Sequence, residues 1–372
     1  MENKHSAKVA WQDICLPKAE GGLGLRDFVT WNKAMNLRLL WLLLVGSNSL
    51  WVAWNTEHRL KRTNVWATVV QSNSSWIWKN IMALRPTAKD LTTCELRDGK
   101  RASFWYDTWT SHGPLIDYVG TEGPRKLGIP ITATVAEAIR TDQWSFPSAR
   151  TRCQALQNLR LTLISTPIPL PSRGSDCFKW GPPSVRTPCF STKIAWEHMR
   201  PTATKPSWAK AIWFKGHVPK HAFTFWTANL NRLPVRARLV TWGMNISPLC
   251  CLCNQQLETR DHLFLHCEYS EQLWDLLLRR LGQPSFIFQE WNTLVSWLTT
   301  ASNATPAKLK LLVCQAAIYN LWRERNNRLF NQQSISPSAL FSLLDRSVKD
   351  MLLARRTRKG FSRLLSRWFA HT

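Results

Sequence analysis

The chain is short of acid: 24 Asp and Glu stand against 49 Lys and Arg over 372 residues, leaving a net charge of +25. An excess of that size favours polyanions, of which nucleic acid is the commonest; the competing reading is a solvated basic surface that serves only solubility. Long apolar runs are also missing. The longest, Leu39 to Val45 (LLWLLLV), falls far short of the ~20 residues a membrane span needs and reads as a buried helix. The opening MENKHSAKVAWQD has no signal-peptide core. An intracellular protein, nuclear or cytoplasmic, is therefore expected, with its scattered cysteines reduced. Gly21, Gly22 and Gly24 lack the G-x-G-x-x-G spacing, and no Lys-Ser or Lys-Thr follows them. That excludes a phosphate loop and leaves a glycine-rich turn opening onto a helix. No carboxylate cluster or nucleophile–base pair is visible, so an enzyme acting alone is not expected, and Asp107 is given no catalytic role.

What is present describes a folded chain. Its 44% apolar content and its length allow two or three domains. The 22 tryptophans run from Trp11 to Trp368. Most belong in cores because of their size, and a few beside Lys or Arg are able to stack on unpaired bases. Helical spacing recurs at Trp31, Met35, Leu39 and Leu42, and again at Phe223, Trp226 and Leu230. A helix capped by Ser270 carries Leu273, Trp274, Leu277 and Leu281. Another begins at Thr305-Pro306 and carries Leu309, Leu312, Val313, Ala316 and Tyr319 on one side. A last, strongly basic stretch to Phe369 carries Leu340, Leu344, Val348, Met351 and Leu352. Asp98-Gly99 is a hairpin signal with strand-like Ala102 to Tyr106 beyond it.

The expected fold class is therefore α+β and mainly α-helical, with a small β-hairpin region, a helical zinc-binding domain and a C-terminal helical extension. The expected divisions are a helical region over 1–90, a hairpin and helix region over 91–166 and a proline-rich linker over 167–188. A zinc-binding domain over 189–282 and a helical connector with a basic tail over 283–372 complete them.

The zinc expectation comes from Cys250 to Cys267, CCLCNQQLETRDHLFLHC. Cys250 and Cys253 are spaced C-x2-C, and His262 and Cys267 follow as H-x4-C. Three sulfurs and an imidazole form the Cys3His set of a closed structural zinc site, with no position left for an activated water. The segment is too short and polar to bury its own core, and metal binding supplies the missing folding energy. Two substitutions within the set stay open: Cys251 in place of Cys250, and His266, spaced i, i+4 from His262, in place of Cys267. Arg232, Arg236 and Arg238 form a basic loop just before the ligands, suited to backbone phosphates. Lys100 and Arg101, beside Phe104 and Trp105, make a second basic-aromatic pairing. The partners expected are RNA or single-stranded DNA, with a protein partner on the C-terminal helices as the alternative.

Several stretches, taken together, resemble the C-terminal part of plant non-LTR (LINE-type) retrotransposon reverse transcriptases, including their zinc-binding domain. They are WQDICLPKAEGGLGLRD, LRDGKRASFWYDTWTSHGPL, FSTKIAW, AIWFKGHVPKHAFTFWTANLNRLPVRARLVTWG, CCLCNQQLETRDHLFLHCEYSEQLW and IYNLWRERNNRLF. The resemblance implies that residues 1–90 correspond to the segment after the polymerase core. It also implies that Cys250, Cys253, His262 and Cys267 hold zinc. Ala237 stands where the family often has an acid. A polymerase palm needs paired aspartates for magnesium, and the sequence contains no Asp-Asp pair. The expectation is a non-catalytic, retroelement-derived zinc protein that binds RNA or DNA non-specifically, a remnant without the polymerase core. A structural or interaction module, or a relic without selected function, is the alternative.

Overall fold

The computed structural model describes residues 8–61, 63–141, 143–144, 153–300 and 305–371. The first seven residues of the opening stretch read for an export signal lie outside these. The fold is α+β and mainly helical, with two small two-stranded sheets among the described residues. The chain groups into two compact units, Arg26–Pro201 and Met1–Leu25 with Thr202–Thr372. The unit boundaries fall at 25/26 and 201/202, and the proline-rich 167–188 lies within the unit Arg26–Pro201.

In the unit Arg26–Pro201, Asp27 caps helix α1 (Phe28–Leu44), accepting from the Thr30 backbone N–H and hydroxyl, both at 2.8 Å. The buried face is Ala34, Leu37, Leu40, Trp41 and Leu43, not the expected stripe, and Met35 is exposed. The apolar run from Leu39 covers the whole helix circumference, so its periodicity does not select a face. Helices α2 (Trp76–Ala83), α3 (Gln154–Ser165) and α4 (Thr192–Met199) share the core. Ser191 caps α4, its hydroxyl accepting from the Ile194 N–H at 3.3 Å.

Strand β1 (Thr92–Glu95) is followed by a tiny antiparallel pair, β2 (Ile139–Arg140) and β3 (Gln143–Trp144). β1 itself pairs with β4 (Cys177–Trp180), Thr92 opposite Trp180. The proline-rich stretch therefore supplies a core strand, with Trp180 fully buried and edge-on to Trp41 at 5.6 Å. Asp98-Gly99 does turn the chain, but it closes no hairpin on Ala102 to Tyr106, where only Ser103 forms a bridge, to Thr134. The turn is pinned by the buried carboxylate of Asp176. It accepts from the backbone N–H of Arg97 (2.8 Å), Gly99 (2.9 Å), Arg101 (3.0 Å) and Ala102 (3.1 Å). Burial pushes this carboxyl up, but the four donors outweigh it and hold the group below its ordinary range. Gly99 sits at φ +69°, where an added Cβ would meet the Ala136 backbone nitrogen at 3.0 Å. Asp107 is also buried. It accepts from Trp66 Nε1 and Ser103 N–H, both at 2.7 Å, while burial raises its pKa to about 6.

In the other unit, Trp226 donates to the Gly21 carbonyl (2.7 Å), tying the glycine turn into the core. Trp226 lies on α5 (Pro219–Asn229), whose buried face includes Phe225 but leaves Phe223 half exposed. Next come α6 (Arg236–Thr241) and α7 (Glu268–Arg280). Cys267, not Ser270, occupies the N-cap of α7; the Ser270 hydroxyl donates to the Leu263 carbonyl at 2.6 Å. Helix α8 (Trp291–Thr299) precedes α9 (Ala307–Asn326), which is buried on nearly every side rather than along one stripe. Its Lys310 ammonium is buried and donates to the carbonyls of Trp297 (2.9 Å) and Thr300 (2.8 Å), satisfying the end of α8. The basic tail is two helices. Helix α10 (Pro337–Leu353) buries Leu340, Leu344, Val348 and Leu352, and α11 (Leu364–Phe369) returns Trp368 to the core. None of the described helices is long and apolar enough to cross a membrane.

Candidate metal centre

The Cys250 turn is built by backbone bonds. Cys250 N–H donates to the Gln256 carbonyl and Asn254 N–H to the Cys250 carbonyl, both at 2.8 Å. Leu252 N–H points at Cys250 Sγ, 3.4 Å away. The turn brings Cys250 and Cys253 together, and the wide turn His262–His266 delivers the rest. That turn is closed by Cys267 N–H donating to the His262 carbonyl at 2.7 Å, one residue wider than an α-helical bond.

The four donor atoms of Cys250, Cys253, His262 and Cys267 all lie within 4.8 Å of one another. Cys250 and Cys267 sulfurs are 3.9 Å apart, and Cys253 Sγ is 3.4 Å from His262 Nε2. A tetrahedral zinc with ordinary bond lengths sets about 3.8 Å between two sulfurs and about 3.6 Å between sulfur and nitrogen. Distances and donor softness both fit that ion. Among the described residues this is the one group of three or more such side chains able to hold a metal. Contact with Cys267 draws the Cys250 thiol down to about 5 against the cost of burial, and the same contact, then burial, pushes Cys267 up.

The two alternative ligands are occupied elsewhere. His266 Nε2 lies 3.0 Å from the carbonyls of both Phe288 and Gln289. The Cys251 thiol is raised to about 11 by burial and then by the charge of Glu258.

Glu258 is the residue sequence reasoning missed. It is fully buried and accepts from the backbone N–H of Arg236 (2.8 Å) and Cys251 (3.1 Å). It also accepts from Arg325 Nη2 (2.7 Å) and Nε (3.1 Å). Burial raises its pKa, but Arg325 more than reverses that and holds it below the ordinary range. Arg325, in the last turn of α9, is 2% exposed. Arg328 adds a bond to the Leu252 carbonyl at 2.8 Å. One carboxylate thus joins α6, the cysteine turn and the end of α9.

Of the expected nucleic-acid contacts, Arg232 is exposed and Arg236 and Arg238 are half-buried. Arg236 Nη1 donates to the Leu249 carbonyl (2.9 Å). No ion pair to Arg232 or Arg238 occurs among the described residues. In the unit Arg26–Pro201, Lys100 is exposed, whereas the Arg101 guanidinium donates to the Val45 carbonyl and lies 5.7 Å over the Phe178 ring. Arg101 is therefore partly committed to the fold.

Residues 190–274 match the family described as zinc-binding in reverse transcriptase, a description of metal binding rather than of a reaction. The chain is also similar to a "putative ribonuclease H protein" of Arabidopsis thaliana, 26% identical over 306 residues. The alignment covers 80% of this chain and 48% of the relative, so the chain spans about half the length of the curated protein it matches. No solved structure matches it. The matched segment contains all four clustered side chains, and zinc is the cofactor of this domain. The two likenesses relate the chain to retroelement proteins.

Proposed function

We propose that Cys250, Cys253, His262 and Cys267 hold one structural zinc ion. The ion fixes the surface on which Arg232, Arg236 and Arg238 meet the phosphates of RNA or DNA without reading sequence. The observation that carries this is Glu258, which bonds the backbone of Arg236 and of Cys251 at once and so makes the arginine loop part of the metal turn. Lys100 supplies a weaker contact on its own unit, with Arg101 behind it. The origin that best suits the resemblance is a plant non-LTR, LINE-type element, and the role is binding without polymerase chemistry.

The test is retention of nucleic acid across a salt series with and without a zinc chelator. Affinity should fall log-linearly with salt, with a slope of about 0.7 to 0.9 per phosphate engaged, and chelation should abolish retention. Absence of binding at low salt overturns the reading. A protein-docking role is favoured by the exposed Leu343 and Leu353 on α10 and by Phe330. Capture of a purified partner that survives high salt would mark it.

A further inference from the structure

Most tryptophans are packed away, but Trp242, the residue that ends α6, is 54% exposed. Its backbone N–H bonds the Arg238 carbonyl at 3.1 Å, so Arg238 and Trp242 stand four residues apart on one helix face. Gly243, at φ +86°, stops the helix, and Met244 N–H turns back to the Leu239 carbonyl at 3.1 Å. The indole therefore stands at a fixed corner. Burial, then nearby Arg232, makes the Arg238 guanidinium less basic. A guanidinium under the repulsion of a second one, with no ion pair to either among the described residues, is relieved by an arriving anion. An apolar protein helix could cover the indole and its exposed neighbours Val240 and Met244, but it would leave the arginines unanswered. A ligand that is anionic and also offers a flat aromatic face answers both. Duplex nucleic acid keeps its base faces stacked inside, whereas an unpaired strand presents them.

We propose that Trp242 stacks on an unpaired base of single-stranded nucleic acid while the flanking phosphates engage Arg232 and Arg238, so that α6 selects unpaired strands over duplex. This rests on the nucleic-acid reading above and adds a preference that phosphate contacts alone do not supply.

The experiment uses the full zinc-loaded chain, a fluorescent mixed-sequence oligonucleotide and the duplex formed from it, with anisotropy read at low salt. Trp242→Ala should weaken single-strand binding by between about fivefold and about 150-fold, the range of one base–aromatic stack, and leave duplex binding unchanged. Trp242→Phe should keep most of the single-strand affinity. Trp242→Leu, apolar but without a ring, should behave as the alanine variant does. Zinc content, measured on each protein, should stay at the wild-type value. Equal losses on both forms, or no loss on the single strand, overturn the stacking role and leave phosphate binding standing. If the wild-type chain binds neither form, both readings fall.

Discussion

Each unit displays its basic loop from a turn pinned by a buried carboxylate, and the two solutions differ. Asp176 satisfies its charge with four backbone N–H groups and draws no cation into the core. Glu258 uses two backbone N–H groups and a fully buried arginine, in a turn that also carries the thiol and imidazole cluster. The first arrangement stands within a tryptophan-rich core that includes Trp105 and Trp180. The second serves a segment that packs Leu263, Phe264 and Leu265 into the core of its unit and adds the clustered metal donors and a salt bridge. A buried anion met by backbone donors is satisfied without a second charge in the core; one met by a side-chain cation needs that cation buried beside it.

The sharpest way to break the parallel is to remove the metal. Chelation should unfold the stretch 250–267 and free α6, with a free-energy change on the order of 10 kcal/mol for a structural zinc. Hydrogen exchange should show the loss confined to the unit that carries the cysteines. Next come the two carboxylates. Glu258→Ala leaves the Arg325 charge buried without its counter-ion and should cost about 3–5 kcal/mol in urea unfolding. Asp176→Asn, which still offers one acceptor oxygen, should cost about 2 kcal/mol.

The smallest effect is one of sign. In the unit Arg26–Pro201, Asp107 has a folded pKa of about 6, above its unfolded value, so its burial penalty shrinks as pH falls from 7 to 5, a gain of about 1 kcal/mol. In the other unit, burial first, then Lys220 and Arg355, lowers His221 to about 4. Below its unfolded value it must stay neutral in the fold, and the same change of pH costs about 2 kcal/mol. Protection by hydrogen exchange, corrected for the intrinsic rate, should therefore move in opposite directions in the two units. Asp176 and Glu258, both depressed, add stability that is lost only as pH falls below about 4.

The metal turn was legible because chelation demands close spacing, and C-x2-C with H-x4-C states it within one short stretch. The start of α9 at Thr305-Pro306 was legible for the same local reason. The carboxylates were not. Asp176 lies 74 to 79 residues from the N–H groups it binds, and Glu258 lies 67 from Arg325, distances over which no periodicity speaks. The pairing of β1 with β4 was hidden likewise: prolines flank Cys177–Trp180, and a four-residue strand among them reads as a linker until its partner is known. On α1 the apolar run from Leu39 hid which side faces the core, and on α9 the burial of polar residues such as Lys310, Gln315 and Arg325 could not be read from a stripe.

Arg325 lies outside the stretch 190–274 that carries the family likeness. Anyone trimming the gene to that stretch would keep every zinc-binding side chain and discard the counter-ion that makes a charge tolerable beneath them. Such an excised piece would take up metal over a core with an orphaned anion, and its weakness would be the work of the scissors rather than a property of the natural fold. A faithful excision of the zinc knuckle has to run through the last turn of α9.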